Sequence, residues 1–178
     1  MLIAFTGNIG SGKDTASDYL VYKYGFDKTT FAKPLKDALK TLFMFSDNQL
    51  YGTQEEKNTI DQRWNLSPRK AMQWLGTDIL RNQFDVNYFV KYFKLYYVDR
   101  IDTVVSDLRF LNESLLIKSL GGIVVKINRQ GTTSNHQSET ELHHIEYDFM
   151  IDNNQTIDDL YHQLDDLYFA VYKKNDIK

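Results

Sequence analysis

The sequence predicts an α/β protein: a central, mostly parallel sheet of about five strands with helices on both faces. Three observations predict it. "LIAFT" (2–6) is an apolar run without polar alternation, "GIVVKIN" (122–128) is the clearest strand, and "DTVVSD" (102–107) reads as a buried strand ending in polar residues. Helix-period stretches separate them, which supplies the crossovers that parallel pairing needs. The chain is 178 residues long, enough for one domain that buries roughly 70% of its unfolded surface.

The elements follow in order. "LIAFT" (2–6) reads as a buried strand, "GNIGSGKDT" (7–15) as a glycine loop, and 15–24 as a helix. "DKTTF" (27–31) is a weaker strand. A helix is expected from Pro34, since proline fits a first helical turn. Leu35, Leu39 and Leu42 form its apolar stripe, with Lys33, Lys36 and Lys40 on another face. Residues 46–65 are polar and read as loop with short helical turns. "SPRKAMQWLGTDILRNQF" (67–84) is a helix with Ser67 as N-cap and Pro68 as first residue. Another helix is expected at 86–97. "DTVVSD" is a strand, "LNESLLIKSLGG" a helix stopped by glycines, and "GIVVKIN" (122–128) the clearest strand. Residues 129–142 are small, polar and aperiodic, hence loop. "YDFMID" (147–152) is the last strand and 156–172 the closing helix. The sequence contains no internal repeat and no low-complexity linker.

Composition narrows the function. A net charge of −3 argues against a broad basic surface for nucleic acid, while a local cationic cleft stays compatible. With 42% hydrophobic and 25% charged residues, the balance is that of a soluble globular protein. There is no cysteine, which rules out disulfides and thiolate metal sites and fits a reducing cytoplasm. The apolar start is too short for a signal peptide, and no run is long enough for a bilayer span.

Strand, glycine loop and helix together make a phosphate-binding context. Glycines let backbone N–H groups converge on an anion, and the helix dipole adds to the attraction. Lys13 would reach the β- and γ-phosphates of a nucleotide. Asp14 stands where such loops usually carry Ser or Thr, so magnesium would be held by Thr15, one residue late, or by Asp14 itself. No guanine-reading Asn-Lys-x-Asp stretch is present, and no strand ends in the Asp-Glu of a motor ATPase.

Three further stretches carry unusual polar groups. Helical geometry puts Arg69, Gln73, Gly76 and Thr77 on one stripe, apart from Met72, Leu75 and Ile79. That stripe suits either a cleft that forks a phosphate and reads a base, or a plain surface helix. In "SDLRFLNE", Asp107 and Arg109 lie just past a strand end, where ligands of open α/β sheets bind. Arg109 and Glu113 read either as a helix ion pair or as a phosphate-binding arginine oriented by its carboxylate, with Asp107 near the metal or Lys13. Arg129 roots the polar loop 128–142, which would close over a nucleotide. His136, His143 and His144 read as solvated loop residues rather than a metal site. Tyr (12) and Phe (11) are mostly packing residues, with Tyr88 or Phe89 as candidates to stack on a base.

"GNIGSGKDT", "FAKPLKDAL", "SPRKAMQWLGTDILRNQFD", "VVSDLRFLNE" and "IDNNQTIDDL" together resemble the bacteriophage deoxynucleoside monophosphate kinases, in order and over nearly the whole chain. "AMQWLGTD" and "SDLR" are the most specific parts, and Lys-Asp-Thr is similar to the family's own loop ending. The resemblance implies a P-loop kinase-like three-layer fold in a single domain, 1–178. It also implies an acceptor-binding helical region at about 33–97 and a lid-like loop at about 128–142. The implied reaction moves the γ-phosphoryl of ATP to a deoxynucleoside monophosphate. Gly7, Gly10, Ser11, Gly12, Lys13, Asp14, Thr15 and Ala16 would hold ATP, with Asn153 and Arg129 on either side of the adenine. Lys33, Lys36, Arg69, Gln73, Gly76, Thr77, Phe89, Asp107, Arg109 and Glu113 are the residues expected around the monophosphate. Lys13, Arg109 and Asp107 would be catalytic, and Asp14, Thr15 and Asp107 would face magnesium.

The expected partners are small molecules, ATP with Mg2+ and the deoxynucleotide, with neither nucleic acid nor membrane. A homodimer stays open, and host cytoplasm is the implied location. Two departures stand out. The chain is short between Asp47 and Ser67, where the family can carry a longer insertion, a region expected to bear on base selection. The loop after Arg129 lacks the several arginines of adenylate-kinase lids, so charge neutralisation rests on Lys13, Arg69, Arg109, Arg129 and magnesium. The competing readings are another small-molecule kinase, of dephospho-coenzyme A or phosphomevalonate type, and a non-catalytic nucleotide switch.

Overall fold

The apolar run at the start of the chain forms β1 (Leu2–Thr6), buried along its whole length at the centre of a parallel sheet. The computed structural model describes residues 1–99, 101–131 and 141–175. In chain order the elements are β1, α1 (Lys13–Tyr24), β2 (Asp27–Thr29), α2 (Lys33–Phe43), α3 (Asp47–Tyr51), α4 (Gln54–Asn58) and α5 (Pro68–Gln73). A π-helix (Trp74–Phe84) continues α5 and is followed by α6 (Tyr88–Tyr96), β3 (Thr103–Val105) and α7 (Leu111–Ser119). β4 (Ile123–Asn128), a 3-10 turn (Glu141–His144), β5 (Phe149–Asp152) and α8 (Ile157–Asn175) complete the chain. Two compact units emerge, Met1–Thr30 with Tyr97–Lys178, and Phe31–Tyr96.

The first unit holds the sheet, with strand order β2-β3-β1-β4-β5 and every pairing parallel. Phe5 pairs with Val125 and Ala4 with Val105, so the apolar runs align side by side. Strand side chains alternate between faces. Ile3, Phe5, Val104, Val125 and Ile127 join Ala16 and Leu20 of α1 and Leu160, Leu164 and Leu167 of α8 in one core cluster. Leu2 points to the other face, where a Cβ on Gly122 would strike both Leu2 and Ile117 of α7. Helices thus cover both faces, which is why these strands read as continuous apolar runs.

The second unit is helical, built on Leu35, Leu39, Phe45, Leu50, Ala71, Phe89 and Phe93. Three elements depart from the sequence reading. Leu42 is 63% exposed and leaves the apolar stripe of α2, because the helix ends at Phe43 and the chain turns at Met44 with φ 54. The helix at 67–84 is α only to Gln73; beyond it, hydrogen bonds reach five residues, as from Asp85 N–H to Leu80 O. Helix α1 starts at Lys13, two residues before its expected start. No described helix is long and apolar enough to cross a membrane.

Candidate active site

The residues expected to hold the donor nucleotide begin in the first unit, where β1 hands the chain to the glycine loop and α1. Gly7, Gly10 and Gly12 have φ of 138, 80 and 103, values that L side chains rarely adopt. At Gly7 a Cβ would stand 2.3 Å from Ile127 O, so the loop passes hard against β4. The Lys13 side chain is buried, and its ammonium donates to Gly7 O at 2.6 Å and Asn8 O at 2.7 Å. A cation is thereby fixed inside the loop, beside the positive end of α1.

Asp14 and Thr15 are exposed on the first turn of α1. Asp14 pairs with Lys28 of β2 at 3.1 Å, and Lys28 also binds Asp18 at 2.8 Å. Burial pushes the Lys28 ammonium down, but Asp18 and Asp14 outweigh it and raise its pKa. Among the described residues there is no group of three or more His, Asp or Glu arranged to hold a metal ion.

The carboxyl ends of the strands bring distant residues to the loop. Asn153, just past β5, donates its side-chain amide to Ser11 O at 2.8 Å, and its own N–H bonds Asn128 O at the end of β4. Its donor nitrogen lies 2.4 Å from where a Cβ on Gly12 would be. Asn153 therefore clamps the glycine loop, a contact the adenine-side expectation did not contain. Arg129 is exposed after β4, and Gln130 N–H next to it bonds Asn154 Oδ1 at 2.8 Å. Most of the lid-like loop 128–142, His136 included, lies outside the described residues.

Past β3 the chain alternates: Leu108 and Phe110 are buried, while Asp107 and Arg109 are only half-buried. Glu113 is 1% exposed, and its Oε2 accepts from the N–H groups of Arg109 at 2.9 Å and Phe110 at 3.1 Å. It caps α7 and fixes the Arg109 backbone. Glu113 was expected near the monophosphate as the carboxylate that orients Arg109; it is bonded to the Arg109 main chain.

The acceptor candidates of 31–96 lie in the second unit. Lys33 pairs with Asp37 at 2.8 Å, and that hydrogen bond raises its pKa. Lys36 Nζ sits 4.2 Å over the Tyr51 ring, and Arg69 Nη2 donates to Gln54 Oε1. Gln73 is half-buried, and Thr77 is 8% exposed. Gly76 is buried against Leu35, whose Cδ2 lies 2.7 Å from a would-be Cβ, so its smallness serves helix packing. Phe89 is 3% exposed with the Arg81 guanidinium 4.6 Å above its ring, a core position that corrects its expected role as an open stacking face. Arg81, itself 8% exposed, was missed in the sequence. The four-residue period Arg69, Gln73, Thr77 reaches it one turn further on.

The sequence model of the family described as deoxynucleotide monophosphate kinase matches residues 41–164. A protein of Acanthamoeba polyphaga mimivirus, provisionally named a deoxynucleotide monophosphate kinase, is 45% identical over 181 residues, which cover 92% of this chain and 94% of that protein. The deoxynucleotide monophosphate kinase of Enterobacteria phage T4 is 25% identical over 92% of this chain and 96% of its own. Shikimate kinase from Aquifex aeolicus VF5 superposes with a TM-score of 0.59 at 12% identity, covering 98% of both chains, a likeness of fold alone.

Proposed function

The chain belongs to the deoxynucleotide monophosphate kinase family, and from that premise we propose that it transfers the γ-phosphoryl group of ATP to a deoxynucleoside monophosphate. An oxygen of the acceptor phosphate bonds to the γ-phosphorus as the bond to the β–γ bridging oxygen breaks, giving a deoxynucleoside diphosphate and ADP. The acceptor is already an anion, so no strong base is needed. Catalysis becomes a matter of holding two anions in line and offsetting their charge.

The observation that carries this reading is the loop from Gly7 to Ala16, which curls about a buried Lys13 ammonium. In the proposal its N–H groups take the donor phosphates and Lys13 meets the charge that moves. Asn153 serves the donor through the loop, by its bond to Ser11 O. Arg109, on a backbone fixed by Glu113, neutralises the transferring group, with Asp107 beside it. Arg129 flanks the adenine. In the second unit, Lys36, Arg69, Gln73 and Thr77 take the deoxynucleotide.

The exposed oxygens of Asp14 and Thr15 at the start of α1 fit magnesium, which binds through one or two protein oxygens plus substrate phosphates and needs no larger cage. When bound, the ion neutralises phosphate charge.

The test is ADP release coupled to an indicator, with Mg2+ and ATP, against dTMP, dGMP, dCMP, dAMP and their ribose forms. Release that depends on a deoxynucleotide is expected. ATP binding with no acceptor-dependent release from any of them would refute the proposal.

A further inference from the structure

The edge strand β2 is three residues long, and it sets a lysine where the sheet calls for a packing residue. Lys28 is in register with Val104 of β3, and Val104 packs in the core with Ala16 and Leu20 of α1. Residues in register on neighbouring strands face the same way, so Lys28 lies on the α1 face of the sheet. It is half-buried there, and its ammonium emerges at the start of α1. The ammonium sits 3.1 Å from Asp14 Oδ1 and 2.8 Å from Asp18 Oδ1. The two carboxylates are exposed and one helical turn apart, and like charges so placed repel. A cation that bridges them therefore has a structural use.

The place of Asp14 gives the bridge a second use. Asp14 follows Lys13 in the first turn of α1. A carboxylate in a first turn is drawn to the N–H groups at the helix start, and in the proposed function those groups take the donor phosphates. A carboxylate turned onto them competes with the phosphate. The ion pair with Lys28 directs the Asp14 side chain toward β2 instead. We infer that Lys28 is a positioning residue for the donor site: by holding Asp14, it keeps the anion-binding start of α1 open to the nucleotide. Asp14 is equally drawn to a magnesium ion, so the loss of Lys28 tells most when the metal is absent. This inference rests on the proposed role of the glycine loop and α1 in holding ATP.

Calorimetric titration with ATP, with no acceptor present, tests it on the whole chain, once in EDTA and once in Mg2+. Lys28→Met keeps most of the side chain and removes its charge. It is expected to weaken metal-free ATP about three- to fivefold, the scale of one charge at a helix start. In Mg2+ the loss shrinks to less than about twofold. Lys28→Arg restores the ion pair and stays near the parent. In an Asp14→Asn background, adding Lys28→Met has little further effect, because the competing anion is already gone. Asp18→Asn leaves the Lys28–Asp14 pair in place and binds ATP as the parent does. An unchanged metal-free Kd in Lys28→Met overturns the inference, even where the melting temperature falls. So does a loss of the same size in the Asp14→Asn background, which would make Lys28 a direct attractor of phosphate. Lys13→Ala is run alongside. If it weakens ATP binding while Lys28→Met does not, this inference alone falls; if it leaves binding unchanged, the donor assignment falls and this inference with it.

Discussion

Gly12 carries two demands at one residue. Its φ of 103 lies where a side chain strains the backbone, and a Cβ there would meet the Asn153 amide at 2.4 Å. Strain of this kind costs about 1–2 kcal/mol, and the clash also displaces the clamp on Ser11 O. Gly12→Ala is therefore expected to raise KM for ATP by about tenfold or more and to leave KM for the deoxynucleotide alone. Asn153→Ala in the same chain relieves the clash and not the strain, so it restores only part of the affinity in a nucleotide titration. For the chemistry itself, Lys13→Ala or Arg109→Ala is expected to lower turnover by about a hundredfold, the loss of one preorganised donor. Near-parental turnover in either variant would remove that residue from the mechanism. Lys13 was legible in the sequence because its loop is contiguous. The Asn153 clamp was not, since Asn153 and Ser11 are 142 residues apart and only the parallel sheet brings them together.

At the scale of elements, the π-helix decides how the second unit packs. Its wider turn buries Gly76 and Arg81, five residues apart, together with Thr77, and leaves Trp74 and Phe84 exposed. The polar stripe seen in the sequence runs on to Arg81, with Arg69 and Gln73 half-buried and Gly76, Thr77 and Arg81 buried. Gly76→Ala sets two effects against each other. Alanine gains up to about 1 kcal/mol of helix propensity over glycine, while overpacking against buried Leu35 costs about 1–3 kcal/mol. Overpacking should win, with a melting temperature a few degrees lower. Combining it with Leu35→Ala should give a loss smaller than the sum of the two, because the clash is gone. The strands were read more securely than the helices. The run "GIVVKIN" places adjacent apolar residues, Ile123, Val124 and Val125, on both faces of one short strand, as a parallel sheet covered by helices requires. The five-residue helices α3 and α4 escaped individual definition because capping, and not periodicity, defines them.

At the scale of the whole molecule, the pH range of stability depends on how α8 is fastened to α1 over the sheet. Asp165 of α8 accepts from Tyr19 at 2.8 Å, Tyr24 at 2.7 Å and Lys23 at 2.7 Å, all on α1. Stacked pairs Tyr19–Tyr161 and Tyr24–Tyr168 flank this fastening. Burial raises the Asp165 carboxyl, but the bonds from Lys23, Tyr24 and Tyr19 prevail and lower it below its ordinary value. A depressed carboxylate stabilises the fold above its unfolded pKa of about 4, and that contribution fades as pH falls through the lower folded value. Tyr24 behaves in the opposite sense: burial and the hydrogen bond to Asp165 push it up to about 12. Its contribution is complete below its unfolded pKa of about 10 and is lost as pH rises toward 12, where a phenolate would face the Asp165 carboxylate. Urea melts across pH should thus show a plateau with a decline at each end. Asp165→Asn is expected to cost about 1–3 kcal/mol at neutral pH and to flatten the acid decline. Tyr24→Phe keeps the stacked ring, removes the proton that titrates, and should soften the alkaline decline; by deleting one bond to Asp165 it also makes the acid decline smaller. An acid decline that survives unchanged in Asp165→Asn would show that other carboxylates govern it.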